Sequence, residues 1–166
     1  MGKDRASSEM DFGIRVGMVV ERNGALLLVR HEKPGREPYW VLPGGRLEPG
    51  ESIPYCAERE LLEETSLEGR FADVLYVSEF FAEDRHTVDI TARVEVDGGG
   101  EARLGSDPEV EEKSSEPTLK GLCWIEAGEL EEIPLLPDWI KAKLLEVAGR
   151  GWPAGEVYLG DGNDIR

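Results

Sequence analysis

Apolar, β-branched runs alternate with short polar breaks through the first part of this chain. The runs at residues 14–20 and 25–30 flank Arg22-Asn23-Gly24, and Asn-Gly between two apolar runs is typical of a β-hairpin turn. The polar break at residues 33–38 predicts a loop. Further apolar runs predict strands over residues 40–42, 71–81, 87–96 and 122–126. Pro43-Gly44-Gly45 is expected to stop the first of these strands.

The apolar spacing changes to a helical period after Ser52. Ser52 is a typical N-cap and Pro54 is tolerated in a first turn, so a helix is predicted over residues 53–65. A second, amphipathic helix is predicted over residues 138–148, with a short helix or turn before it at 127–132. Strands before and after a central helix, with another helix near the end, predict an α/β fold with a mixed sheet.

The length of 166 residues favours one folded domain. Residues 1–11 form a polar tail, residues 12–148 carry the predicted elements, and residues 149–166 are a Gly-rich C-terminal extension to which the sequence assigns no role. That extension packs either on the domain or on a second subunit, which leaves a homodimer open. The acidic segment 97–118 is a long loop, and such loops are usually functional or mobile.

The formal net charge of −16 narrows the range of partners. Nucleic-acid phosphates and anionic membranes repel such a chain, so a small-molecule partner is expected rather than nucleic acid or a membrane. Two cysteines and two histidines give little support for a disulfide framework, a His-rich zinc site or a Ser-His-Asp triad. No segment has the pattern of a signal peptide or the length of a membrane span, so we expect a cytoplasmic protein.

Three carboxylates share one face of the first predicted helix. Glu60, Glu63 and Glu64 have i, i+3 and i+4 spacing, at which like charges repel unless a cation lies between them. Mg²⁺ or Mn²⁺ prefers oxygen ligands of this kind. Taken alone, however, a Glu-rich helix face is more often a solvated surface.

The segment before the helix favours a binding site. Gly44, Gly45 and Gly50 allow tight turns and a close approach of the backbone to a ligand. Glu51 stands at the start of the helix, where Arg59 can pair with it and orient the neighbouring carboxylates. A strand, a Gly-rich loop and an acidic helix would then form one compact site for cations and phosphate.

Residues 45–67 resemble the Nudix box, which reads Gly, five residues, Glu, seven residues, Arg-Glu, an aliphatic, any residue, Glu-Glu, any residue, Gly, an aliphatic. The matching positions are Gly45, Glu51, Arg59, Glu60, Leu61, Glu63, Glu64 and Leu67. Ser66 departs from the pattern, because the family has Gly there. A chance match is of order 10⁻⁴ per chain even for a glutamate-rich sequence, so the resemblance is specific.

The resemblance implies an α/β/α sandwich with a mixed sheet and hydrolysis of a phosphoanhydride bond in a nucleoside diphosphate linked to another group. It implies that Glu60, Glu63 and Glu64 are the ligands of two or more Mg²⁺ or Mn²⁺ ions, with Arg59 and Glu51 as the supporting pair. Glu60, Glu64, Arg59 and Glu51 are thus the expected catalytic residues. The base that deprotonates the attacking water lies either in the box or in a loop outside it, and the acidic loop 97–118 is one source.

The substrate is less defined than the chemistry. The family's markers for ADP-ribose, diadenosine polyphosphates and NADH do not occur downstream of the box, so nucleoside triphosphates and nucleotide sugars both stay open. Gly45, Arg46 and Trp40 are the candidate substrate contacts. For Trp40, a place in the core or at its rim is the competing interpretation.

Three other functions compete with hydrolysis. A non-catalytic nucleotide-binding Nudix domain is one, although its metal positions are usually damaged and here all the carboxylates are present. An isopentenyl diphosphate isomerase needs a catalytic cysteine in a different context from that of Cys56. RNA decapping is disfavoured by the net charge of −16.

Overall fold

The chain folds into nine strands and two α-helices over the residues that the computed structural model describes, namely 10–105, 119–147, 151–152 and 158–161. The helices are α1 (Ile53–Thr65) and α2 (Asp138–Val147), with a 3-10 helix at Ala127–Glu132. The strands are β1 (Asp11–Val19), β2 (Glu21–Arg22), β3 (Ala25–Lys33), β4 (Arg36–Val41), β5 (Gly44–Arg46), β6 (Gly69–Phe81), β7 (Arg85–Val96), β8 (Leu119–Glu126) and β9 (Tyr158–Asp161). The predicted tail up to residue 9 and the acidic residues of the predicted loop beyond residue 105 lie outside the described residues.

The strands form two sheets. The first has five strands in the order β5-β1-β7-β6-β9 and is mixed, because β1 is parallel to β7 and β9 is parallel to β6 while the other pairs are antiparallel. The second sheet is antiparallel, with β3 pairing β2, β4 and β8. The predicted mixed sheet is therefore present.

The two α-helices pack with separate hydrophobic clusters of the sheets. Cys56, Ala57 and Leu61 of α1 pack with apolar residues of β1 and β7, whereas Ile140 and Leu144 of α2 belong to a second cluster with β3, β6 and β8. The expected α/β/α sandwich is confirmed by this arrangement and by the structural relatives described below. Within the described ranges, no helix is both long and apolar enough to cross a membrane.

The Asn-Gly turn is present, but it joins different partners from those expected. Asn23 and Gly24 both have positive φ, and the turn connects β3 to the two-residue strand β2. The longer strand β1 pairs with β5 and β7 in the other sheet. Residues 16–20 and 26–29 are buried throughout, and this burial on both sides of each run is typical of interior strands rather than of an isolated hairpin.

Of two expectations about the following segment, the first was wrong and the second is confirmed. Residues 33–38 are mostly strand, because Pro34-Gly35 alone makes the turn and Pro38 lies in β4, a sheet edge where a proline is tolerated. As expected, the strand ends just before Pro43-Gly44-Gly45, because β4 stops at Val41; Gly44 then begins a new strand, β5, which pairs with β1 in the other sheet. A Cβ at Gly44 would overlap the backbone of Val16, so only glycine fits where β5 begins to pair with β1.

Helix α1 has the boundaries that the sequence predicts. The Ser52 side chain accepts a hydrogen bond from the Tyr55 amide at 3.3 Å, and Pro54 lies in the first turn. At the other end Ser66 has the left-handed conformation, with φ of 58°, and its amide donates to the Leu62 carbonyl at 2.9 Å. Ser66 thus takes the conformation that favours the family's glycine.

Replacing Ser66 by Gly is expected to raise the free energy of unfolding by about 0.5–1 kcal/mol, because it removes a Cβ from a left-handed residue. Turnover should stay within about threefold, since the glutamates precede this position on the helix. Urea unfolding gives the stability change, and Ser66→Ala, which keeps the Cβ, is the control and should show no gain. A lower stability for Ser66→Gly would contradict the left-handed conformation.

Candidate active site

The predicted acidic cluster lies on α1, which is fixed by its apolar side. Cys56, Ala57 and Leu61 are fully buried against the sheet. Glu60 and Glu64 are also buried, with 6% and 3% of their surface exposed. Burying a carboxylate is costly unless it is paired or hydrogen-bonded, so these two side chains need partners in their surroundings.

Gly44 and Gly45 of β5 receive the two buried carboxylates. The Gly44 amide donates to Oε2 of Glu64 at 2.8 Å. At Gly45 an added Cβ would overlap the carboxylate of Glu60. Any larger residue at 45 would therefore displace Glu60, which explains the glycine in physical terms.

Arg59 connects three of the carboxylates. Its Nε and Nη2 donate to the two carboxylate oxygens of Glu51 at 2.7 and 3.0 Å, a bidentate pair. Its Nη1 donates to Oε1 of Glu60 at 2.8 Å and to Oε2 of Glu63 at 3.0 Å. A further hydrogen bond, from Nη2 to the Arg46 carbonyl at 3.3 Å, joins the helix to β5. The expected ion pair of Arg59 with Glu51 is present.

The protonation of this network follows from its contacts. The hydrogen bonds from Arg59 hold the pKa of Glu51 below its ordinary value of 4.5, and Glu51 in turn raises the pKa of Arg59. Burial, with a smaller contribution from the nearby charge of Glu60, raises the pKa of the Cys56 thiol to about 12. Cys56 is therefore a neutral core thiol at pH 7, and it offers no thiolate for catalysis.

The donor set suits a hard divalent cation. All three candidate ligands are carboxylates, and β5 approaches the helix closely enough to form a narrow cradle with it. Among the described residues, no group of three or more His, Cys, Asp or Glu side chains is already arranged around a common metal position. Arg59 lies between Glu60 and Glu63 and supplies the positive charge there, while the Glu63 side chain is 35% exposed and has room to turn.

A cavity of about 650 Å³ lies on the face of the mixed sheet opposite α1, where Arg15, Asp89 and Thr91 line it. Leu42 lines it, and the Gly44 amide that binds Glu64 follows two residues later. The remaining walls combine aromatic side chains, including Tyr39, Phe80 and Trp139, with polar groups. A cavity of this kind has the size and mixed lining of a small-molecule site.

The charged pair formed by Arg15 and Asp89 in this cavity was missed by the sequence interpretation. Arg15 of β1 donates to the Leu42 carbonyl at 3.0 Å, and its Nη1 lies 3.7 Å from a carboxylate oxygen of Asp89 on β7. Burial raises the pKa of Asp89, against the opposing charge of Arg15. Each is a charged residue within an otherwise apolar run, as Arg15 is between Ile14 and Val16, and this pattern was the available signal.

The three candidate substrate contacts differ in their positions. Gly45 faces Glu60, as described. The Arg46 side chain is exposed, and its Nη2 donates to the Phe12 carbonyl at 3.0 Å and to Asp11 at 3.3 Å. Trp40 packs against the core cluster that contains α2 and is not among the residues that line the cavity, so its position favours the competing interpretation.

A comparison with protein families identifies the fold and the box together. The family model described as the NUDIX domain matches residues 11–146. This chain belongs to the Nudix family. It is a Nudix pyrophosphohydrolase, and all the carboxylates of the family's box are present in it.

Individual Nudix relatives agree with the match. A Mycobacterium tuberculosis (strain H37Rv) protein named "Putative 8-oxo-dGTP diphosphatase 2" is 29% identical over 144 residues, which cover 83% of this chain and 82% of that protein. A Bacillus subtilis protein named "Putative 8-oxo-dGTP diphosphatase" is 46% identical over 48 residues, but the match spans only 29% of this chain and 30% of that protein. The solution structure of the E. coli ORF135 protein aligns with a TM-score of 0.66 at 22% identity, covering 88% of this chain and 96% of that one.

Replacing Glu51 by Gln is expected to lower the free energy of unfolding at pH 7 by about 1–2 kcal/mol, because Arg59 loses its charged bidentate acceptor. The folded-state pKa of Glu51 lies below 4.5. The extra stability of the wild type is therefore fully present well above pH 4.5, and it disappears as the pH falls through the lower folded-state pKa. Urea unfolding of both proteins between pH 7 and pH 3 measures this convergence.

The matched control for that experiment is Glu48→Gln, which removes the same charge from the same exposed loop. It should leave stability nearly unchanged across this pH range. Equal stabilities of wild type and Glu51→Gln at pH 7 would show that the ion pair does not hold the helix start.

Proposed function

We propose that this Nudix hydrolase uses divalent cations to cleave a phosphoanhydride bond of a modified nucleoside triphosphate, releasing a nucleoside monophosphate. The observation that carries the proposal is the adjacency of two features. Arg59, Gly44 and Gly45 contact the carboxylates of the box. Leu42, two residues before Gly44 in the chain, lines a cavity of nucleoside size.

We assign metal binding to Glu60, Glu63 and Glu64. Mg²⁺ or Mn²⁺, with two or more ions per site, would neutralise the phosphates and stabilise the charge that develops on their oxygens. Arg59 and Glu51 keep the helix start and the loop in place, so that the carboxylates keep their geometry. Glu63 would exchange its contact with Arg59 for a cation, which its partial exposure permits.

The residues around this cluster suit a phosphorylated substrate. The exposed guanidinium of Arg46 is fixed by Asp11 and Phe12 at the edge of the sheet, where a phosphate chain extending from the cavity could reach it. Gly45 lets the backbone approach closely. Water would attack a phosphorus atom in line and give a proton to a base, either a carboxylate of the box or one from a loop outside it. One P–O bond forms as the anhydride P–O bond breaks, and the leaving phosphate group takes the bonding electrons.

The cavity and the relatives together favour a purine nucleotide with altered hydrogen bonding. Aromatic side chains can stack on a base, and the paired Asp89 and Arg15 can address the polar edge of that base. Two relatives carry names that refer to 8-oxo-dGTP. We therefore propose an oxidised purine nucleoside triphosphate as substrate in preference to a nucleotide sugar.

The remaining expectations about context are part of the same proposal. A nucleotide is a small-molecule partner, and the net charge of −16 disfavours nucleic acid. The cytoplasmic location, the homodimer and the division of the chain at residues 12–148 stay predictions. A location where free nucleotides occur is consistent with the proposed substrate.

The metal assignment predicts that Glu64→Gln and Glu63→Gln each reduce kcat/KM by at least about 10²-fold, because each removes a charge that holds the cation while preserving the shape of the side chain. Activity should also disappear in excess EDTA and return with Mg²⁺. The control is Glu68→Gln, an exposed residue just beyond α1, which should stay near wild-type activity. Turnover near wild type in both box variants would exclude the assigned ligands.

The substrate proposal predicts that kcat/KM for 8-oxo-dGTP exceeds that for dGTP and for a nucleotide sugar by at least about tenfold, a ratio that one or two hydrogen bonds to a base can supply. Asp89→Asn should reduce this preference more than it reduces kcat for dGTP. Mass spectrometry in ¹⁸O-water identifies the attacked phosphorus and should find a nucleoside monophosphate. Orthophosphate as the sole product, or binding without turnover, would contradict the proposal.

A further inference from the structure

The geometry points to Gly105 as a positioning residue that holds the last turn of α1, and with it the peptide between Glu63 and Glu64, through the backbone. Gly105 lies outside the box, about forty residues further along the chain. This inference rests on the proposed role of Glu63 and Glu64 as metal ligands, and it concerns how their part of the helix is kept in place.

The end of α1 is closed by a segment that follows β7. The Gly105 amide donates to the Glu64 carbonyl at 2.8 Å, and the Arg103 amide donates to the Thr65 carbonyl at 2.8 Å. The last carbonyls of a helix have no partner within the helix itself. Residues 103 and 105 therefore supply donors that the helix lacks, at the turn that carries two of the three proposed ligands.

Gly105 also touches the helix too closely for any other residue. An added Cβ would overlap the Glu63 carbonyl oxygen and would lie 2.8 Å from the Glu63 carbonyl carbon and 3.2 Å from that of Glu64. These atoms belong to the backbone, so no side-chain rotation relieves the contact. An alanine at 105 must shift either the segment or the last turn of α1.

Glu64 is thereby held at both of its ends. Its carboxylate accepts from the Gly44 amide at 2.8 Å, and its carbonyl accepts from the Gly105 amide. A shift of the peptide at 64 while β5 holds the carboxylate would change the direction of the side chain. Metal sites respond strongly to such displacements, because groups that orient ligands typically contribute about 10–100-fold to metal affinity.

The test compares Gly105→Ala with Gly98→Ala. Gly98 precedes Gly105 in the same connection, it has no atom within 4 Å of an added Cβ, and its φ is not in the left-handed region. Mn²⁺ binding is measured by titration calorimetry without nucleotide, and folding is checked by circular dichroism and thermal unfolding. Gly105→Ala should bind Mn²⁺ at least about tenfold more weakly, whereas Gly98→Ala should bind like wild type.

A folded Gly105→Ala that binds Mn²⁺ within about threefold of wild type overturns the inference. A second measurement needs no variant and decides the matter if Gly105→Ala does not fold. Because coupling between two sites is reciprocal, saturating Mg²⁺ should slow hydrogen exchange of the Gly105 and Arg103 amides in the wild-type protein by at least about fivefold. Unchanged exchange at both amides, with Mg²⁺ bound, equally overturns it.

The two proposals fail in distinguishable ways. If wild type does not bind Mn²⁺ or Mg²⁺, or if Glu64→Gln binds them as wild type does, the assigned metal ligands are wrong. If wild type binds and Glu64→Gln does not, the ligands stand, and the behaviour of Gly105→Ala alone decides whether residue 105 positions them.

Discussion

The candidate site depends on how acidic side chains are kept together on one short helix. Without compensation, Glu60, Glu63 and Glu64 would repel one another and would weaken α1. The guanidinium of Arg59 counters this repulsion, because its planar fork binds Glu51 on one side and reaches Glu60 and Glu63 on the other. A lysine offers one point charge and could not serve these directions together.

That constraint explains why glycine is needed on the neighbouring strand. At Gly45 the carboxylate of Glu60 leaves no room for a side chain, and at Gly44 the backbone of Val16 leaves none. The same lack of a side chain lets the Gly44 amide bind Glu64 directly. Backbone amides of β5 and of residues 103–105 therefore hold the same end of α1: the Gly44 amide binds the Glu64 carboxylate, and the Gly105 amide binds the Glu64 carbonyl.

Local signals in the sequence were sufficient for α1 and the box. Ser52 caps the helix and the apolar spacing defines its buried side, so its boundaries and its acidic face could be predicted from neighbouring residues. Strand pairing is different, because it depends on residues far apart in the chain. The sequence therefore could not show that β1 and β3 enter different sheets, or that Gly44 begins a strand.

The same limit applies to the site. Glu51 immediately precedes the N-cap of α1 and Arg59 lies eight residues later in the same helix, so their ion pair could be predicted from local spacing. Arg15 and Asp89 meet only because β1 and β7 are adjacent and in register, so no local pattern brings them together. The contact of Gly105 with α1 likewise follows from the path of the chain after β7 and has no signature in the box.

Strand β9 bears on where the folded domain ends along the chain. Tyr158–Asp161 pairs with β6 although it lies beyond the residues matched by the family, and the Tyr158 hydroxyl donates to Glu79. It covers part of the backbone edge of a thirteen-residue strand. A chain shortened to the family boundary would leave those amides and carbonyls open to another molecule's strand, and such edges are a common route to aggregation.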